Sequence, residues 1–162
     1  MKAVVVYDSQ FGNTERLARA IAEQLGAGEP AAVVAAGAAS PRDLAGMDLL
    51  AVGGPTQGHG LSPALKAFLE RLPREAVRDV PTVTFDTRLP WPRVLSGSAA
   101  AASAKQLVKK GARLVVPPES FLVTGTEGPL GEGELARART WATTVRTTAG
   151  LPEQDPAGAA PS

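Results

Sequence analysis

The run Asp48-Leu49-Leu50-Ala51-Val52-Gly53-Gly54 constrains the fold more than any other stretch of the chain. It is apolar without alternation and stops at two glycines, which is how a strand buried on both faces reads. Comparable runs recur on either side. Val4-Val5-Val6-Tyr7 is β-branched and aromatic, Ala31 to Ala36 is a weaker alanine-diluted strand, and Val80 to Phe85 and Ala112 to Val116 supply two more. Ser120 to Val123 continues the last of these beyond Pro117-Pro118. The segments between the strands have helical spacing instead. Leu17, Ile21 and Leu25 recur every four residues. Ser62-Pro63 offers an N-cap with proline at the first helical position, followed by Leu65, Phe68, Leu69 and Leu72. Ser98 to Lys110 is an alanine-rich helix closed by Gly111, and Glu132 to Arg146 places Leu135, Ala138, Ala142 and Val145 on one face. Five strands alternating with helices predict an α/β fold of three layers, a five-stranded parallel sheet covered on both faces. In such sheets ligands bind beyond the carboxyl ends of the strands. The loops after the first, third and fourth strands are therefore the ones that matter.

Composition narrows the function. The 162 residues fit one domain, expected over 1–149, with the proline-, glycine- and alanine-rich stretch 150–162 expected as a disordered tail. A net charge of +1 and no basic stripe argue against nucleic acid. Cysteine is absent and His59 is the only histidine, which removes thiolate chemistry, disulfides and histidine-based metal sites. No charged-then-apolar leader opens the sequence and no apolar run reaches membrane-spanning length. A cytoplasmic protein without a membrane partner is the expectation.

The loop Ser9-Gln10-Phe11-Gly12-Asn13-Thr14 joins the first strand to the first helix. It gathers two hydroxyls, two amides and a glycine, with neither lysine nor arginine. Free N–H groups at the helix start would suit an anion held by neutral donors. The Walker pattern and GxGxxG are both missing there. A receiver domain would need an aspartate at the end of the third strand, where Gly53-Gly54-Pro55 stands.

This loop resembles the FMN phosphate loop of flavodoxins, and Gly53-Gly54-Pro55-Thr56 is similar to that family's segment leading to the flavin ring. The resemblance covers about Lys2 to Arg146 and implies the strand order 2-1-3-4-5 with non-covalently bound FMN. It assigns hydroxyl contacts with the phosphate to Ser9 and Thr14, and close backbone approach to Gly12 and Asn13, with Gln10 and Phe11 donating from the backbone. Phe11 replaces a usual threonine, as in quinone-reductase relatives of the family. Pro55, Thr56, Gln57, Gly58, His59 and Gly60 match the loop beside the ring, where Gly58 or Gly60 would permit a peptide reorientation. The fourth-strand loop departs most from the family: it reads Phe85-Asp86-Thr87-Arg88-Leu89-Pro90-Trp91, with Trp91 the candidate to cover the ring and Asp86, Thr87 and Arg88 beside it. An arginine near the ring would favour the anionic reduced flavin and raise its potential.

The implied function is electron transfer with a redox partner protein docking over the flavin edge. The alternatives are an FMN-dependent NAD(P)H:quinone oxidoreductase, acting on a small quinone and a nicotinamide nucleotide, and a flavin-free interaction module. The resemblance implies no catalytic acid or base. Bland roles compete at single positions: His59 as a solvent-facing loop residue, Asp86 as a turn brace, Trp91 as loop packing, and Thr124 to Gly128 as a glycine turn.

Overall fold

The computed structural model describes residues 2–26 and 28–151. Its strands are β1 (Ala3–Tyr7), β2 (Ala32–Ala35), β3 (Leu49–Pro55), β4 (Pro81–Arg88), β5 (Arg113–Leu114) and β6 (Glu119–Leu122). The helices are α1 (Asn13–Leu25), α2 (Pro41–Leu44), α3 (Pro63–Arg71), α4 (Arg74–Val77), α5 (Arg93–Ser96), α6 (Ala99–Lys109) and α7 (Glu134–Ala149). All the pairings between these strands are parallel, in the order β2-β1-β3-β4-β5, and β6 takes up the edge of β4 beyond β5. The expected architecture and strand order are both present.

Each central strand feeds two cores by simple alternation. Val5 of β1, with Leu49 and Ala51 of β3, faces the side covered by α1 and α7. Val4 and Val6, with Leu50 and Val52, face Leu65, Phe68 and Leu69 of α3 and Leu107 of α6. The unbroken apolar run of β3 is therefore the direct consequence of burial on both faces. Its two closing glycines are packing residues. A Cβ at Gly53 would lie 2.1 Å from the Phe85 ring, and one at Gly54 would lie 2.7 Å from Leu65 Cδ2. The space at Gly53 lets Phe85 sit under the sheet end, where Trp141 of α7 meets it and Phe121 edge-on, at centroid distances of 6.1 and 5.9 Å.

Several boundaries differ from the sequence expectation. β4 runs on to Arg88, three residues past Phe85, because Asp86, Thr87 and Arg88 pair with Ser120, Phe121 and Leu122 of β6. That long-range pairing has no local signal. The fifth strand is split: Pro117-Pro118 separates β5 from β6, since proline has no N–H to give to a ladder. The final helix starts two residues later than expected and continues to Ala149, where Gly150 caps it at φ 72°. Leu151 also packs on the core, and 152–162 of the expected tail lie outside the described residues. The short helices α2, α4 and α5 carry too few residues to leave a periodic signature.

At the sheet edge, Glu134 of α7 accepts from Leu122 N at 2.7 Å and from Arg137, whose guanidinium also lies 4.5 Å over the Phe121 ring. This ties α7 to β6 and keeps the loop between them beside the end of β4.

Candidate functional site

Two helices begin at the C-terminal edge of the sheet close to the candidate loops, and their N-termini are treated differently. The start of α6 is closed by its own neighbours. Thr56 Oγ1 accepts from Ala99 N (3.1 Å), Asp86 Oδ2 from Ala100 N (3.0 Å) and Ser98 Oγ from Ala101 N (3.1 Å). Three side chains thus satisfy three successive orphan donors. Helix α1 has no side-chain cap. Its N-cap is Gly12 at φ 90°, whose N–H goes to Ser9 Oγ at 3.1 Å, and the first intrahelical bond runs from Arg16 N to Gly12 O. The N–H groups of Asn13, Thr14 and Glu15 have no acceptor within the helix. The positive end of the α1 dipole is open there.

A cleft of about 360 Å³ lies over this open end. From the loop after β1 come Ser9, Gln10 and Phe11, and from α1 itself Asn13 and Thr14. From the end of β3 and its loop come Pro55, Thr56, Gln57 and Gly58. Thr87 and Arg88 close the third side with Leu89, and Val123 and Thr126 reach in from the loop after β6. A buried hydroxyl pair, Thr14 Oγ1 to Thr87 Oγ1 at 3.0 Å, joins the helix start to β4. The exposed amide of Gln57 donates to Gln10 Oε1 at 2.9 Å, tying the first loop to the third. Asn13 Nδ2 reaches the carbonyl of Glu127 at 3.2 Å and holds the loop after β6 in place.

Some expected site residues stand elsewhere. Asp86 is fully buried and points into α6, where Ser98 Oγ donates to it at 2.6 Å; it braces the helix and forms no part of the cleft wall. Alternation along β4 sends its side chain to the face opposite Thr87. Trp91 is 55% exposed and likewise stands outside the wall, the turn 88–91 being folded back by Arg88 Nη1 donating to the carbonyls of Leu89 and Trp91. His59 and Gly60 are also outside it. The Gln57–Gly60 turn is closed by two bonds of 2.9 Å, with Gly58 and His59 both at positive φ, the geometry of a two-residue hairpin. Gly97 presses on the His59 backbone, where a Cβ would lie 2.0 Å from the His59 carbonyl oxygen. Three wall residues had no clear signal in the sequence. Leu89 and Val123 are ordinary apolar residues, and Thr126 sits in a stretch that reads equally well as a glycine turn.

The electrostatics of the wall are simple. Among the described residues that line it, Arg88 alone is ionisable. Tyr7, at the end of β1, has its phenol pushed up by burial first and by Glu15 second, so it stays protonated at neutral pH. A second hollow, of about 410 Å³, lies among Leu44, Met47, Phe68 and Leu72 near the N-terminal ends of β3 and β4, away from these loops.

The family model for flavodoxin matches residues 5–141. The chain belongs to the flavodoxin family. Solved structures agree at the level of fold. A flavodoxin from the domain Archaea superposes with a TM-score of 0.76 at 18% identity, covering 93% of this flavodoxin-family chain and 99% of its own. A flavodoxin, WrbA-like protein from Agrobacterium tumefaciens gives 0.74 at 22% identity, with 92% and 97% covered. The flavodiiron protein from Giardia intestinalis gives 0.71 at 20%, covering 91% of this chain but only 36% of its own. No curated protein sequence matches the chain.

The donor set of the cleft fits FMN. Uncapped N–H groups and the Ser9 and Thr14 hydroxyls suit a phosphate monoester, and the volume falls within the ~300–1,000 Å³ of small-molecule sites. Among the described residues no helix of this flavodoxin-family chain is long and apolar enough to cross a membrane.

Proposed function

We propose that the protein binds FMN non-covalently in this cleft and transfers electrons through it. The observation that carries the reading is the contrast between the two helix starts: α6 is capped by three side chains, whereas α1 opens into a cleft flanked by hydroxyls. Bound there, FMN would supply the redox chemistry, and the chain's residues hold, orient and tune it. Ser9 and the first N–H groups of α1 receive the phosphate. Thr87 positions Thr14 from beneath, through the buried hydroxyl pair. The Gln10–Gln57 bond links the two loops at the mouth and steadies the wall on either side of the ligand. A redox partner protein would approach over the exposed loops after β3 and β4, in the cytoplasm.

A second reading, an FMN-dependent NAD(P)H:quinone oxidoreductase, is favoured by one feature, the positive charge of Arg88 in a wall without a carboxylate. It makes two-electron exchange with a small quinone the alternative.

Fluorescence titration of the protein with FMN and with riboflavin tests the common part of both readings. FMN should bind at least tenfold more tightly, and Ser9→Ala should cost about 1.5 kcal/mol with FMN alone, the worth of one bond to a charged group. Equal affinities for the two flavins would refute the phosphate site. Anaerobic titration with electrons then separates the readings: a stable half-reduced form supports a carrier, and its absence supports the reductase.

A further inference from the structure

Arg88 is a charge fixed in place and left uncompensated. It stands at the end of β4, where pairing with Leu122 sets its backbone, and Nη1 donates to the carbonyls of Leu89 and Trp91. Its Nε is buried and has no hydrogen-bond partner. No carboxylate pairs with it among the described residues. The acidic residues on the adjoining strand ends and loop do not line the cleft. Asp86 is turned into α6, Asp8 precedes the first loop outside the wall, and Glu127 gives its carbonyl to Asn13 from the neighbouring hollow. The rest of the wall is hydroxyl, amide and apolar.

We propose that Arg88 makes this cleft selective for the anionic, two-electron-reduced state of its flavin. The inference rests on the FMN reading and adds to it the charge state that the site prefers. Oxidised flavin takes up two electrons and one proton to become the anionic reduced form; a second proton would make it neutral. A fixed cation opposes that second proton and favours the anion over the uncharged oxidised ring. At an effective dielectric near 20, a unit charge in the cleft wall changes such an equilibrium by on the order of tenfold. The site thereby binds reduced flavin more tightly than oxidised flavin, relative to the same cleft without the charge. It suits a donor that delivers two electrons together, as a hydride donor does.

The test uses the full chain loaded with FMN, reduced by dithionite against redox dyes. Four proteins are compared: wild type, Arg88→Gln, Arg88→Lys and Thr126→Glu. Arg88→Gln should lower the two-electron potential by about 30 mV, the equivalent of a tenfold loss of preference for reduced flavin. As the pH falls, the potential's slope should steepen from about 30 toward about 60 mV per pH unit where the reduced flavin takes up its second proton, and in Arg88→Gln this steepening should set in about one pH unit higher than in the wild type. Arg88→Lys keeps the charge while losing the guanidinium fork, and should stay close to wild type. Thr126→Glu adds a carboxylate without touching the 88–91 turn, and should lower the potential as well. Equal potentials in all four would overturn the inference. So would a shift in Arg88→Lys as large as in Arg88→Gln, because the residue would then act by shaping the turn. A wild type that takes up no FMN overturns the underlying reading and this inference together, whereas the other two failures leave FMN binding standing.

Discussion

Replacing Asp86 by alanine separates bracing from ligand contact at the residue where sequence and structure part company. In the wild type, its Oδ2 accepts from Ser98 Oγ at 2.6 Å and from Ala100 N at 3.0 Å, while Oδ1 is buried without a partner. Alanine removes both bonds. At about 1.5–3 kcal/mol each the gross loss is roughly 3–6 kcal/mol. The carboxylate also faces the positive end of α6, worth up to about 2 kcal/mol in a partly buried setting. Against this stands the desolvation of a buried group with one bare oxygen, several kcal/mol that the variant no longer bears. The net expectation is a loss of about 3 kcal/mol, or about 6–12 °C in Tm for a domain of this size. That leaves most domains folded, given total stabilities of about 5–15 kcal/mol. Urea unfolding followed by circular dichroism measures the loss. FMN titration well below the new Tm should give a dissociation constant within about threefold of wild type, a change of less than 1 kcal/mol. A tenfold weaker affinity with unchanged stability would refute the assignment and return Asp86 to the cleft.

Two further outcomes follow from packing and from charge. Gly53→Ala should destabilise by at least about 2 kcal/mol in urea, since its Cβ would overlap the Phe85 ring, whereas Gly54→Ala meets only the flexible end of Leu65 and should cost about half as much. The Glu134 carboxyl is held below its ordinary value of 4.5, first by the hydrogen bond from Arg137 and also by Leu122 N. A depressed folded-state pKa stabilises above the ordinary value, and this is lost as the pH falls through the lower folded value. Glu134→Gln should therefore cost about 1 kcal/mol at neutral pH, discounted because Arg137 is 42% exposed, with the difference from wild type vanishing in acid. A gap that persists at low pH would place the effect in packing.

The uncapped start of α1 was legible because its geometry is local. Ser9 to Thr14 follow a strand and open a helix, and the donors they offer are their own hydroxyls and backbone. The parallel sheet was legible for a related reason, since burial on both faces writes an unbroken apolar run into β3. The loop after β4 was not legible. Whether Asp86 or Thr87 looks into the cleft depends on how far β4 extends, and its last three residues are held by β6 more than thirty residues later. Gly53 and Gly54 stand in the sequence as part of a family motif, and the packing of Phe85 and Leu65 against them is visible only in the structure.

The sequence by itself determined the α/β alternation, the two-sided core and the helix start able to take an anion, because strand and helix periodicity and an uncapped N-terminus are properties of consecutive residues. Only the tertiary structure decided which side chains meet there. The Thr14–Thr87 pair, the Gln10–Gln57 tie and the diversion of Asp86 to α6 join residues 73, 47 and 14 positions apart. The lone charge of Arg88 in the wall is likewise a product of that assembly. Non-local contacts of this kind are fixed by how the sheet orders and staggers its strands, and no short stretch of the chain encodes that stagger.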